Sequence, residues 1–76
     1  MNARDVKWRF SKEIGARIKQ KRTEQRLSQG TVATVLGLHQ AALSRIESGT
    51  QEISAAEVLL FCLELKIGLE DILKKG

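Results

Sequence analysis

Seventy-six residues and 8.5 kDa suffice for one domain with a radius of gyration of roughly 11 Å, which excludes a two-domain regulator or a large enzyme. The 42% hydrophobic and 29% charged content is that of a folded chain rather than a disordered tail. No apolar run approaches the ~20 residues of a membrane span, and the opening MNARDVKWRF lacks the apolar core of a signal peptide, so a cytoplasmic location and no membrane partner are expected. The single cysteine, Cys62, and single histidine, His39, exclude a disulfide framework and a cysteine-based zinc site, and no metal, cofactor or small-molecule ligand is expected.

The net charge of +4 is unevenly spread: residues 1–26 carry nine basic side chains against three acidic ones, and the remainder is slightly acidic. A basic first third suits a polyanionic partner, although lysines and arginines also solubilise ordinary helix faces. Proline is absent and apolar residues recur at helical spacing throughout, which predicts an all-α chain. Phe10, Ile14 and Ile18 line a first helix over about 9–26. Ser28 then offers an N-cap, with Leu27 and Val32 as a hydrophobic staple, opening a second helix over about 29–36. Gly37 suits a left-handed turn, and Ala42, Leu43 and Ile46 mark a third helix over about 39–48, stopped by Gly49. Ser54 to Glu57 reads as a capping box with an Ile53–Val58 staple, placing a fourth helix at about 54–66. Gly68 precedes Leu69-Glu70-Asp71, whose acids suit the N-terminus of a short last helix, with Ile67 and Ile72 as its staple. A glycine at position 30 costs up to about 1 kcal/mol relative to alanine in a helix interior.

Counted from Gln29 as position one, Ala33 falls at five, Gly37 at nine, Leu43 and Ile46 at fifteen and eighteen, and Val32, Leu36 and Leu38 at four, eight and ten. With IGARIKQKR before it, LSQ at its start, LSRIESG at its end and ILK near the C-terminus, this segment resembles the helix-turn-helix of the lambda-repressor-like, Cro-type (XRE) family of bacterial and phage regulators. The resemblance covers most of the chain but not residues 1–10. It implies a compact five-helix domain over 1–76, with the helix-turn-helix at about 29–48 and dimerisation helices at about 54–74. The positions have physical reasons, since Ala33 lets two helices approach, Gly37 turns the chain and the aliphatic residues set the interhelical angle. On a helical wheel Ala42, Leu43 and Ile46 face inward, while Gln40, Ala41, Ser44, Arg45 and Ser48 face outward. Glutamine suits an adenine edge, arginine a guanine and alanine a thymine methyl. The family implies base contacts by Gln40, Ala41, Ser44 and Arg45, with Arg45 the principal specificity residue. It likewise implies phosphate contacts by Gln29 and Ser28 at the start of the second helix, and by Thr50 and Gln51 after the third. His39 stands where a serine or threonine cap is usual, so a weaker cap or an imidazole on phosphate is expected. The resemblance pairs Arg22 with Glu47 as a structural bridge and leaves Arg17, Lys19, Lys21 and Arg26 as weaker phosphate candidates.

The fourth helix, AAEVLLFCLEL, is apolar on two sides. Ala55, Val58, Phe61, Cys62 and Leu65 form one sector, and Ala56, Leu59, Leu60 and Leu63 form another, so two partners are needed. An isologous dimer through Leu59, Leu60, Leu63 and Leu69 is the expected second partner, against the alternative that Trp8 and Phe10 fold back over the leucines. Two copies would set two recognition helices about one DNA turn apart on a pseudo-palindromic operator. With one histidine and one cysteine in different helices, no catalytic constellation is present. The expected function is a sequence-specific double-stranded DNA-binding transcriptional regulator, a homodimeric autorepressor of the phage Cro or restriction-modification controller kind. The rival is a protein-interaction module, such as an antitoxin or adaptor, using the same fold.

Overall fold

The computed structural model describes residues 3–73, with side chains from Ser11 to Leu73. Five helices follow one another, α1 (Ala3–Glu24), α2 (Gln29–Leu36), α3 (Gln40–Ser48), α4 (Ala55–Leu65) and α5 (Leu69–Leu73), and no strand occurs among the described residues. The Cα radius of gyration is 11.8 Å.

The ends of these helices follow from local chemistry. Ser28 caps α2 by accepting the Thr31 amide at 3.0 Å. Gly37 ends that helix at φ +70°, where the Leu38 amide returns to the Ala33 carbonyl at 2.8 Å. Gly49 does the same for α3 at φ +84°. At α4 the capping box is complete: Ser54 Oγ accepts the Glu57 amide at 3.1 Å, and the Ser54 amide donates back to Glu57 Oε1 at 3.0 Å. Two helix ends close without a glycine. Arg26 (φ +59°) follows α1, and Lys66 (φ +57°) caps α4, each held by a returning amide, Leu27 to the Arg22 carbonyl and Ile67 to the Cys62 carbonyl. The first helix therefore starts at residue 3 rather than near 9, and stops at 24 rather than 26.

All five helices contribute to one buried cluster, in which Ile18, Leu43, Phe61 and Ile72 are fully buried and Leu27, Leu38, Ile53, Leu60 and Ile67 pack on its edge. Each fully buried aliphatic or aromatic side chain adds about 1.5–3 kcal/mol relative to exposure. The three expected staples thus each have their outer residue against the core. Polar ties join the helices: Arg17 Nη1 donates to the Ile72 carbonyl at 3.1 Å, and Gln25 Nε2 to the Leu65 carbonyl at 2.8 Å. Cys62 is a free thiol in the core, raised in pKa by burial first and then by the Glu70 and Asp71 carboxylates.

The α4 wheel needs two corrections. Ala55, expected inside, is exposed, and Leu60, expected on the outer sector, is half-buried and packs on the core. Leu59 and Leu63 do face outward, 50% and 75% exposed, and Leu69 and Leu73 of α5 are also exposed. The side chains of Trp8 and Phe10, the alternative cover for the leucines, lie outside the described residues. No described helix is long and apolar enough to cross a membrane, and no group of three or more metal-ligating side chains occurs among the described residues.

Candidate nucleic-acid interface

The short helix α3 divides sharply. Leu43 and Ile46 are buried in the core and Glu47 is buried beside them, whereas Gln40, Ala41, Ser44, Arg45 and Ser48 are exposed. Ala42, expected to face inward, is half-buried at the boundary. The buried side fixes the helix, so the exposed side chains project from a rigid base.

Small side chains lie where the helices meet. Ala33 of α2 is buried in the core that α2 shares with α3. A second small residue was not read from the sequence. At Gly15 of α1, a β-carbon would collide with the Ile46 carbonyl oxygen, with the carbonyl carbon only 3.0 Å away. Gly15 is what lets α1 lie directly on the backbone of α3.

Beneath the interface lies a buried polar cluster. Arg22 Nε donates to Glu47 Oε2 at 2.7 Å, and Arg22 Nη2 to Glu47 Oε1 at 3.0 Å, a two-pronged bridge from α1 to α3. Arg22 Nη1 donates to the Leu27 carbonyl at 2.7 Å. The hydrogen bond to Glu47 is the largest influence on the Arg22 guanidinium and raises its pKa, with desolvation opposing it. Gln29 joins the same cluster, its Nε2 donating to Glu47 Oε1 at 3.0 Å. The side chain expected on phosphate is therefore tethered to α3, and it stands at the N-terminus of α2, where helix geometry leaves the first amides without intrahelical acceptors.

The other residues expected at the interface gather around these two helix starts. Ser28 is exposed, and besides its cap its Oγ donates to Thr31 Oγ1 at 2.9 Å. The Gln40 side-chain oxygen would lie 3.8 Å from a β-carbon on Gly30, so the start of α3 packs closely over the start of α2. His39 occupies the N-cap position of α3 with an exposed imidazole that makes no cap bond. At the far end of α3, Arg45 Nε donates to Gln51 Oε1 at 2.9 Å, and the Thr50 amide returns to the Arg45 carbonyl at 2.9 Å. Lys12 lays its aliphatic stem over Gly49, with Cε 3.2 Å from where a β-carbon would be, bringing a cation to the C-terminal end of α3, where the helix dipole favours it. Of the weaker basic candidates, Arg17 is bound to the Ile72 carbonyl and Lys21 pairs with Glu24 at 3.5 Å, while Lys19 and Arg26 are exposed.

Two helices joined by a glycine turn, the second presenting a polar face while its apolar face is locked to a helical core, define a helix-turn-helix domain. The helix-turn-helix family model matches residues 18–72, and the chain belongs to that family. Among solved structures, the restriction-modification controller protein C.AhdI from Aeromonas hydrophila superimposes with a TM-score of 0.73 at 28% identity, over 80% of this chain and 92% of that one. A comparison with curated proteins finds no match. The protein is a DNA-binding transcription regulator of the helix-turn-helix family.

Proposed function

We propose that this chain reads a specific duplex sequence through Gln40, Ala41, Ser44 and Arg45 and acts as a homodimeric repressor of its own or neighbouring genes. The observation that carries this reading is the exposed polar face of α3, held on a base of buried Leu43 and Ile46. Ser28, Gln29, His39, Thr50 and Gln51 flank that face at both ends and are assigned to the phosphate backbone, where they set orientation without reading sequence. The likeness to a restriction-modification controller supports a place in that class of regulator. The absence of acidic residues in α2 favours repression over activation through an acidic patch on that helix.

The test is binding of duplex DNA at several salt concentrations. Affinity for random duplex should fall steeply as salt rises, because cationic side chains release counterions from phosphate. Absence of binding at every salt concentration would favour the protein-interaction module instead. Arg45→Ala should weaken binding to the selected site by about 1–3 kcal/mol and relax preference at one base pair. An equal loss on all sequences would mark Arg45 as a phosphate ligand.

The dimer is assigned to the outer face of α4 and α5. Leu59, Leu63, Leu69 and Leu73 are exposed there, beside a groove of about 440 Å³ whose lining includes Ile14, Ile53 and Val58. Exposed apolar surface of this kind marks association sites. Leu63→Glu is the suitable test, since Leu60 also packs on the core and its loss would confound folding with assembly. Sedimentation should show monomers for Leu63→Glu and dimers for the unaltered protein. A variant that sediments as the same dimer would remove Leu63 from the interface.

A further inference from the structure

The contact between Arg45 and Gln51 has a consequence for how α3 reads a base, and this inference rests on Arg45 being the reading residue. Arg45 is exposed, and an exposed arginine samples many rotamers that must be given up when it meets a base edge. Here its Nε donates to Gln51 Oε1 at 2.9 Å. That bond occupies one corner of the guanidinium and leaves the two terminal nitrogens as an end-on fork. Such a fork matches the O6 and N7 acceptors of guanine.

Gln51 is itself held. It is half-buried in the loop after Gly49, and that loop is fastened to the backbone of Arg45. The Arg45 carbonyl accepts the Thr50 amide at 2.9 Å, Ser48 Oγ at 3.0 Å and Thr50 Oγ1 at 3.3 Å. Ser48 Oγ and Thr50 Oγ1 stand 3.2 Å apart, so either hydroxyl can turn its one proton to the other in place of the carbonyl. The turn that returns Gln51 to Arg45 requires the left-handed conformation of Gly49, at φ +84°.

We infer that Gln51 is a positioning residue for sequence recognition, fixing the Arg45 guanidinium before DNA arrives so that its terminal fork addresses a guanine. The amide nitrogen of Gln51 stays available as a donor to phosphate, so the same side chain can stand between a backbone contact and a base contact.

The experiment uses the full chain and a randomised duplex library, with bound duplexes recovered and sequenced for the unaltered protein, Arg45→Ala, Gln51→Ala and Gln51→Glu. Thermal unfolding of each variant serves as the folding control. Gln51→Ala should weaken preference at the base pair relaxed by Arg45→Ala by at least about threefold, over and above any equal fall in affinity for all duplexes from the lost phosphate donor, with the melting temperature unchanged. Gln51→Glu, which offers Nε the same kind of acceptor, should retain the preference while binding all duplexes more weakly because of its added negative charge. If Gln51→Ala instead weakens every duplex equally and leaves all base preferences intact, Gln51 contacts phosphate only and the inference is overturned. If Arg45→Ala relaxes no position, the assignment of Arg45 as reader fails, and the inference fails with it. If Arg45→Ala relaxes one position that Gln51→Ala leaves sharp, positioning alone fails.

Discussion

Gly15→Ala is expected to destabilise the domain by about 3 kcal/mol or more, because the added methyl has no space and its obstacle is main chain rather than a mobile side chain. The Ile46 carbonyl and, at 3.6 Å, the Glu47 Cα stand where the β-carbon would go, so α1 and α3 must separate. A domain of this size has a total stability of about 4–11 kcal/mol, and separation also loosens the core cluster that Ile14 and Ile18 share with Ile46. Circular dichroism should show a melting temperature lower by roughly 12 °C or more, with duplex binding weakened as α3 loses its seat. Gly30→Ala is the matched control. Its β-carbon would meet only the Gln40 and Ser28 side chains, at 3.8 and 3.9 Å, so the same methyl should instead stabilise α2 by up to about 1 kcal/mol through helix propensity. Equal melting temperatures for Gly15→Ala and the unaltered protein would show that α1 and α3 do not need this close approach.

The contrast between these two glycines shows where the sequence was readable. Helix limits were legible wherever a capping side chain or a glycine closes the helix, as at Ser28, Gly37, Gly49 and Ser54, because a cap is a local signal. They were missed at both ends of α1. Its first turns carry Ala3, Val6 and Phe10 at helical spacing after Asn2, a residue type that favours N-caps, a signal that a start near residue 9 passes over, and its last turn gives way to Arg26 in a left-handed conformation that sequence alone assigns to glycine or asparagine. The outward face of α3 was legible from periodicity, but the boundary position Ala42 and the exchanged fates of Ala55 and Leu60 were not, since a wheel gives angles and packing decides depth. Within the candidate site, residue type pointed to Arg45, whereas its bond to Gln51 depends on a loop path that no spacing specifies. Gly15 left only the signal of an isolated glycine inside a helical pattern, which marks a close approach without naming the partner.

Glu47→Ala is expected to be comparably severe, for an electrostatic reason. The carboxylate is buried and accepts both prongs of Arg22 as well as Gln29 Nε2. Removing it leaves a buried guanidinium with the Leu27 carbonyl as its remaining acceptor in this cluster. Such an uncompensated charge costs about 3–5 kcal/mol, again visible as a melting temperature lower by roughly 12 °C or more. Replacing both partners by apolar residues of similar size, as Arg22→Met with Glu47→Leu, should recover most of that loss, because desolvation of the charges cancels much of their attraction. The double variant also separates two roles of the cluster. It keeps the helices packed while releasing Gln29 from α3, so its affinity for all duplexes should fall uniformly if the tether holds Gln29 for phosphate, with base preferences retained because Arg45 and Gln51 are untouched. A double variant as unstable as Glu47→Ala would mean that the bridge supplies net stability that apolar packing cannot replace.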